Sequence, residues 1–250
     1  MTPEGMKSLL HFSREVTADA NYTRRIFEMV EHFYSPFERV KHPDLVTFRR
    51  NPSANAPYHN NLHQATVALT ARFILETGGS KELSLKAVED LGVPRHKDWP
   101  TVIAGLFHDY AHSGGALDDH LNIARATSVV QGLDIHPEIM NEVLSLIAVT
   151  EYPFIREPKT EGEKALRDAD LACALLLTPS MYFQQYIMGL RTEMVVKLGK
   201  SLSIREFAQG QMKFIDSIKF YAIEGTVLEK QYRDFNNEFY TALLACEGID

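Results

Sequence analysis

The side chains best suited to hold a cation in this chain lie in three stretches far apart in sequence. Any fold that uses them must bring those stretches to one point. They are Tyr58-His59-Asn60-Asn61-Leu62-His63, then Phe107-His108-Asp109-Tyr110-Ala111-His112, then Leu166-Arg167-Asp168-Ala169-Asp170-Leu171. His59 and His63 are four apart, as are His108 and His112, a spacing that stacks two side chains on one helix face. Asp109 directly follows His108, so the second stretch offers imidazole, carboxylate and imidazole within about a turn. Neutral imidazole nitrogens and ionised carboxylate oxygens are the donors a divalent cation takes. A carboxylate from the third stretch closes the set, and these residues by themselves leave Asp168 and Asp170 both open. A lone histidine is more often a surface or satisfied core residue than a ligand. The joint pattern, rare by chance, points to metal.

The rest of the chain predicts helices. Ile26, Met29, Val30 and Phe33 recur at helical spacing across Ala20 to Phe33. Ser35-Pro36-Phe37-Glu38 reads as N-cap, N1 proline and N3 glutamate of a second helix. The first fifteen or so residues are weakly patterned and read as a loose arm, and Asn51 to Pro57 reads as a loop. Further helices are expected at His59 to Thr77, Leu83 to Leu91, Thr101 to Ala111, Asp118 to Gln131 and Pro137 to Thr150. Three more follow at Lys164 to Leu177, Ser180 to Leu198 and Ser203 to about Tyr232. Gly78-Gly79 and Gly114-Gly115 act as stops, and Thr160…Glu163 and Ser203…Glu206 are capping boxes. No run of alternating β-branched residues predicts a strand, and no repeat or Gly/Ser linker divides the chain. The expectation is one compact all-α domain over residues 1–250, with ligands from several helices lining one pocket.

Composition narrows the partners. A 45% hydrophobic, 24% charged chain is ordinary for a soluble globular protein. The net charge of −7 argues against nucleic acid and anionic membranes. Two distant cysteines, Cys173 and Cys246, with no C-x-x-C, suit a reducing compartment rather than a disulfide framework. The first residues carry no apolar signal-like core, and the longest apolar run, Leu171 to Leu177, is too short for a bilayer. A cytoplasmic protein is expected.

His63, the His108-Asp109 pair and a later aspartate form the H…HD…D pattern of the HD superfamily of metal-dependent phosphohydrolases. Within it, Pro57-Tyr58-His59-Asn60-Asn61-Leu62-His63 and His108-Asp109-Tyr110-Ala111-His112-Ser113-Gly114 closely resemble the two motifs of class I cyclic nucleotide phosphodiesterases. The likeness runs in order from about Tyr58 to Phe214. It implies hydrolysis of a 3′,5′-cyclic nucleotide, cyclic AMP or cyclic GMP or both, to the nucleoside 5′-monophosphate. It also implies two divalent ions. The first, zinc-like, would be held by His63, His108, Asp109 and Asp170. Asp170 is preferred to Asp168 because the family ligand is followed by leucine, as Leu171 follows here. Asp168 is then a helix-surface charge or a support for the ligands. Asp109 would bridge to a second, looser ion, magnesium or manganese, otherwise held by waters.

The resemblance makes His59 the general acid for the leaving oxygen. It gives His112 and Thr150 hydrogen bonds to waters of the metals. Gln211-Met212-Lys213-Phe214-Ile215-Asp216 resembles the family segment whose glutamine bonds the purine and whose phenylalanine stacks on it. A primary amide can donate or accept by turning over, which suits adenine or guanine. The chain departs from the family in three places. The interval from Asp109 to Asp170 is shorter than in familiar eukaryotic members. The glutamate that supports the second ion's waters falls near Leu117, where Asp118 or Asp119 is the nearest substitute. Cys173 stands where the family often has a base-contacting asparagine. The rivals are another HD reaction, such as a nucleotidase, and a non-catalytic nucleotide sensor. Neither nucleotide preference nor oligomeric state is written in the residues.

Overall fold

A computed structural model describes residues 17–34, 45–92 and 94–246. The expected N-terminal arm and the helix start at Ser35-Pro36 fall outside these residues. The helices, in order, are α1 (Thr17–Tyr34), α2 (Leu45–Arg49), α3 (Asn61–Thr77), α4 (Leu85–Glu89), α5 (Trp99–Phe107) and α6 (Asp119–Gln131). There follow α7 (Pro137–Ala148), α8 (Glu161–Ala172), α9 (179–198), α10 (Ile204–Ser217) and α11 (Val227–Leu244). No strand occurs among the described residues, so the all-α expectation holds. No helix among them is long and apolar enough to cross a membrane.

Asn60 starts the central helix. Its Oδ1 accepts the N–H groups of Leu62 and His63 at 3.0 and 3.2 Å, capping α3. From His63 to Ile74 every residue of α3 is buried, the mark of a helix enclosed by its neighbours. Its apolar side chains, Val67, Leu69, Phe73 and Ile74 among them, each contribute about 1.5–3 kcal/mol on leaving water. α5 and α8 flank α3 more extensively than any other elements. A Cβ on Gly105 of α5 would fall 2.7 Å from the Ala68 Cα, so that crossing requires glycine.

Asn51 ties the predicted loop to the first two of the three candidate stretches. Its Nδ2 donates to Asn61 Oδ1 and Gln64 Oε1, at 2.9 and 3.1 Å. Its Oδ1 accepts from Ser53 and, at 2.9 Å, from the N–H of Ala111. Ala111 has φ +59°, a left-handed conformation that costs a non-glycine residue on the order of 1–3 kcal/mol. The turn it makes explains a correction. α5 stops at Phe107 rather than Ala111, and His112 leaves the helical path. His59 likewise precedes the cap of α3, so neither histidine pair shares a helix face as the spacing predicts.

Both capping boxes form, at Thr160 and Glu163 for α8 and at Ser203 and Glu206 for α10. The helix expected from Ser203 to Tyr232 is instead two helices, broken at 218–226. The cause lies elsewhere in the chain. Asp168 on α8 is fully buried and accepts the backbone N–H groups of Tyr221, Ala222 and Ile223, at 2.6 to 3.1 Å. Burial raises its pKa to about 6 even though those three donors favour the ionised form. Asp168 is therefore an anchor for this connection rather than a helix-surface charge. Its neighbour Arg167 is also buried and donates to the carbonyls of Val149 and Arg156 at 2.5 and 2.6 Å, with its guanidinium over the Phe154 ring.

Candidate metal centre and its cavity

His63 comes from the first turn of α3, His108 and Asp109 from the end of α5, and Asp170 from the last turn of α8. The fold brings all four together, each offering a ligand atom within 4.8 Å of the others. His63 Nε2 lies 3.2 Å from Asp109 Oδ2 and 3.2 Å from Asp170 Oδ1. His108 Nε2 lies 3.0 and 3.5 Å from the same two oxygens. Asp168, two residues from Asp170, points away to the 221–223 backbone. The choice of Asp170 over Asp168 agrees with this geometry.

The chemistry of the cluster fits a cation. His108 Nδ1 donates to the Gly105 carbonyl at 2.8 Å, so in the neutral ring Nε2 presents a lone pair toward two carboxylate oxygens. The Nε2 atoms of His63 and His108 are buried and have no hydrogen-bond partner. Buried polar atoms of this kind call for an explanation, and an ion at the point they share supplies one. The electrostatics agree. Burial disfavours charge on His108, but Asp109 and Asp170 outweigh it and push its pKa up to about 10. Burial would raise Asp109 and Asp170 too, yet the histidines hold both below the ordinary carboxylate range. The group as a whole is short of positive charge. The buried cluster can hold a metal ion.

His59 stands beside this cluster. Its Nδ1 lies 2.5 Å from Glu193 Oε2, and Glu193 Oε1 accepts the N–H groups of Tyr58 and His59 at 2.8 and 3.1 Å. Burial works against the charge on Glu193, but the contact with His59 and these donors pull its pKa below the usual value. With Nδ1 engaged, Nε2 is the nitrogen of His59 left for a ligand. Sequence reasoning missed Glu193, which lies in α9, 134 residues beyond His59. The available hint was that a supported general acid needs some carboxylate. Nothing in Arg191-Thr192-Glu193 marks this one. A Cβ on Gly115 would strike the Glu193 carbonyl oxygen at 2.2 Å, so this glycine serves a close approach to α9 as well as a turn.

His112 packs on His59, ring centroids 3.7 Å apart. Its Nδ1 accepts the Gly114 N–H at 3.1 Å, which leaves Nε2–H to point toward Asp119 Oδ1, 3.7 Å away. Asp119 lines the cavity and also accepts the Tyr152 N–H at 2.6 Å. Asp118 is exposed at the start of α6. Of the two candidates near Leu117, Asp119 is the one beside the cluster. Thr150 is buried at the cavity wall, and its hydroxyl donates to the Ile147 carbonyl at 2.8 Å, so it offers only lone pairs inward.

His59, Asp109, His112, Asp119, Thr150, Asp170 and Glu193 line one cavity of about 590 Å³. Gln211 and Phe214, three apart on α10, both line it, as expected of one helix face. The Gln211 amide has no partner among the described residues, and Tyr152 meets the Phe214 ring edge-on at 6.2 Å. Gln209 is exposed and outside the cavity. Lys197 is the one lysine or arginine among the described residues that line it. No protein-family model matches this chain, and no curated protein matches it either.

Proposed function

We propose that this protein is a metal-dependent phosphodiesterase that hydrolyses a 3′,5′-cyclic nucleotide to the nucleoside 5′-monophosphate. A single juxtaposition carries the proposal. One cavity joins Asp109 and Asp170, the carboxylates of the His63 and His108 cluster, to the His59–Glu193 pair and the Gln211 and Phe214 face. The four cluster residues would hold a zinc-like ion. A second ion, magnesium or manganese, would share Asp109, with His112, Asp119 and Thr150 toward its waters. Bound divalent ions supply a water of lowered pKa and offset charge growing on phosphoryl oxygens.

The chain's own residues do the rest. Glu193 holds the His59 ring through Nδ1, so that Nε2–H can give its proton to the departing O3′. Phe214 offers a flat apolar face to the base. Gln211, whose amide has no partner among the described residues, reads the purine edge by donating or accepting. Water is kept from the base by Tyr152, Phe154 and the other apolar groups of the wall. The shortage of cationic side chains also favours a phosphodiester of single charge over a triphosphate, which draws on several lysines or arginines.

A product assay tests the proposal. The protein is incubated with cyclic AMP, cyclic GMP, cyclic dinucleotides and nucleoside monophosphates, with and without chelator. The expected result is 5′-monophosphate from a cyclic mononucleotide, abolished by chelator and restored by zinc with magnesium or manganese. Release of inorganic phosphate from a nucleoside monophosphate, with no cyclic substrate consumed, would replace it by a nucleotidase.

A further inference from the structure

Cys173 follows α8 by one residue and is buried directly behind the ligand cluster. Its Sγ touches three polar groups: His63 Nδ1 at 3.7 Å, the Asp170 carbonyl oxygen at 3.4 Å and the Tyr186 hydroxyl at 3.5 Å. Counting hydrogens settles who donates. A thiol has one proton, and the Asp170 carbonyl can only accept, so S–H goes to Asp170. The sulfur's lone pairs then face His63 and Tyr186. In the neutral ring, the form that binds an ion, His63 therefore carries its proton on Nδ1, which leaves the Nε2 lone pair aimed between Asp109 and Asp170. That Nε2 is buried without a hydrogen-bond partner, as a nitrogen set aside for an ion would be.

We propose that Cys173 is a positioning residue that fixes the tautomer of His63 and links it to the backbone of Asp170, setting the affinity of the first metal site. The inference rests on the assignment of His63, His108, Asp109 and Asp170 as ion ligands. The sulfur faces Nδ1, on the far side of the ring from the ion, and does not bind metal itself. Partners that orient a ligating histidine typically change metal affinity by about 10–100-fold when lost. Thiol sulfur is a weak acceptor, so it holds the ring without making the imidazole as basic as a carboxylate would.

Cobalt(II) titrations of the purified full chain test this through the visible d–d bands, with zinc(II) competition for affinity. Cys173→Ala should bind cobalt roughly 10–100-fold more weakly than wild type, with weaker bands, because Nδ1–H loses its acceptor. Cys173→Ser, which keeps one donor and two lone pairs, should recover most of the affinity. Cys246→Ser, at a buried cysteine two residues past α11, should match wild type. Circular dichroism separates loss of fold from loss of affinity, and the serine variant keeps the test open if the alanine variant fails to fold. Unchanged affinity in both Cys173 variants overturns the proposal and leaves the ligand assignment standing. So does a sulfur-to-cobalt charge-transfer band in wild type, which would make Cys173 a ligand. A wild-type protein that binds neither metal overturns the ligand assignment and this inference with it.

Discussion

Two groups of histidines and carboxylates sit side by side in this molecule and are built differently. In the first, His63 and His108 turn Nε2 toward Asp109 and Asp170, and turn Nδ1 toward uncharged groups, a thiol and a backbone carbonyl. In the second, the Nδ1 of His59 is paired with Glu193, and the Nδ1 of His112 is met by a backbone N–H. The first group leaves two buried nitrogens without partners; the second leaves none among the described residues. The same residue types are thus arranged once as four groups converging on a point that can hold an ion, and once as a ring held by a carboxylate through Nδ1. What separates them is which ring nitrogen meets the nearest carboxylate, Nε2 for His63 and His108 and Nδ1 for His59.

The largest expected effect breaks the first group. Asp170→Ala should abolish turnover and strip the metal, because an anionic ligand is gone from a site that needs its charge. Asp168→Ala should do the reverse. It should keep the metal but lower stability by roughly 1–3 kcal/mol, by leaving the N–H groups of Tyr221, Ala222 and Ile223 unpaired. Metal analysis and thermal unfolding of both variants decide the point. A metal-free Asp168→Ala beside a loaded Asp170→Ala would invert the assignment.

Next in size is the second group. His59→Ala should lower kcat by about 10²–10⁴ with metal content unchanged. A p-nitrophenyl phosphodiester, whose leaving group needs no proton, should be cleaved at closer to the wild-type rate. Equal loss on both substrates would make His59 structural or a ligand. A smaller change is expected where neither group is touched. Phe214→Ala should raise KM for cyclic AMP and cyclic GMP alike, by a factor equivalent to about 1–3 kcal/mol of base stacking. Gln211→Ala should mainly alter the ratio of kcat/KM between the two, and no change in that ratio would remove Gln211 from base recognition.

The smallest effect concerns protons and stability. The folded pKa of Glu193 lies below its unfolded value, so the stability it contributes is present above about pH 4.5 and is lost as pH falls through the folded pKa. The melting difference between wild type and Glu193→Gln should accordingly be constant at neutral pH and close in acid. A difference that grows on acidification would mean that Glu193 is not held as a carboxylate.

Much of this was legible in the sequence, for physical reasons that differ by residue. The four residues that cluster could be read because a divalent ion restricts donors to few residue types, wherever they fall. The capping boxes at Thr160 and Ser203 could be read because they are local. The reasoning from spacing failed for both histidine pairs, although His63 and His108 do meet Asp109 and Asp170. Asn60 caps α3 after His59, and Asn51 captures the turn at Ala111 before His112. Glu193 and the break at 218–226 were out of reach because each depends on a partner remote in sequence. Tyr221 meets Asp168 across 53 residues, and helical periodicity through the break carries no sign of it.

The turn Arg167-Asp168-Ala169-Asp170 sends three polar side chains to three destinations. Arg167 holds the backbone around Val149 and Arg156, Asp168 holds the 221–223 connection, and Asp170 reaches the ion cluster. These four positions behave like a surveyor's benchmark, from which three separate parts of the fold are measured. Insertions in the outer loops can be absorbed locally, since the loops return to fixed points. One residue added or removed within this turn would rotate it by about 100° and misplace all three bearings at once. The chain can therefore drift in length and sequence around this turn, while the turn itself has no room to slide.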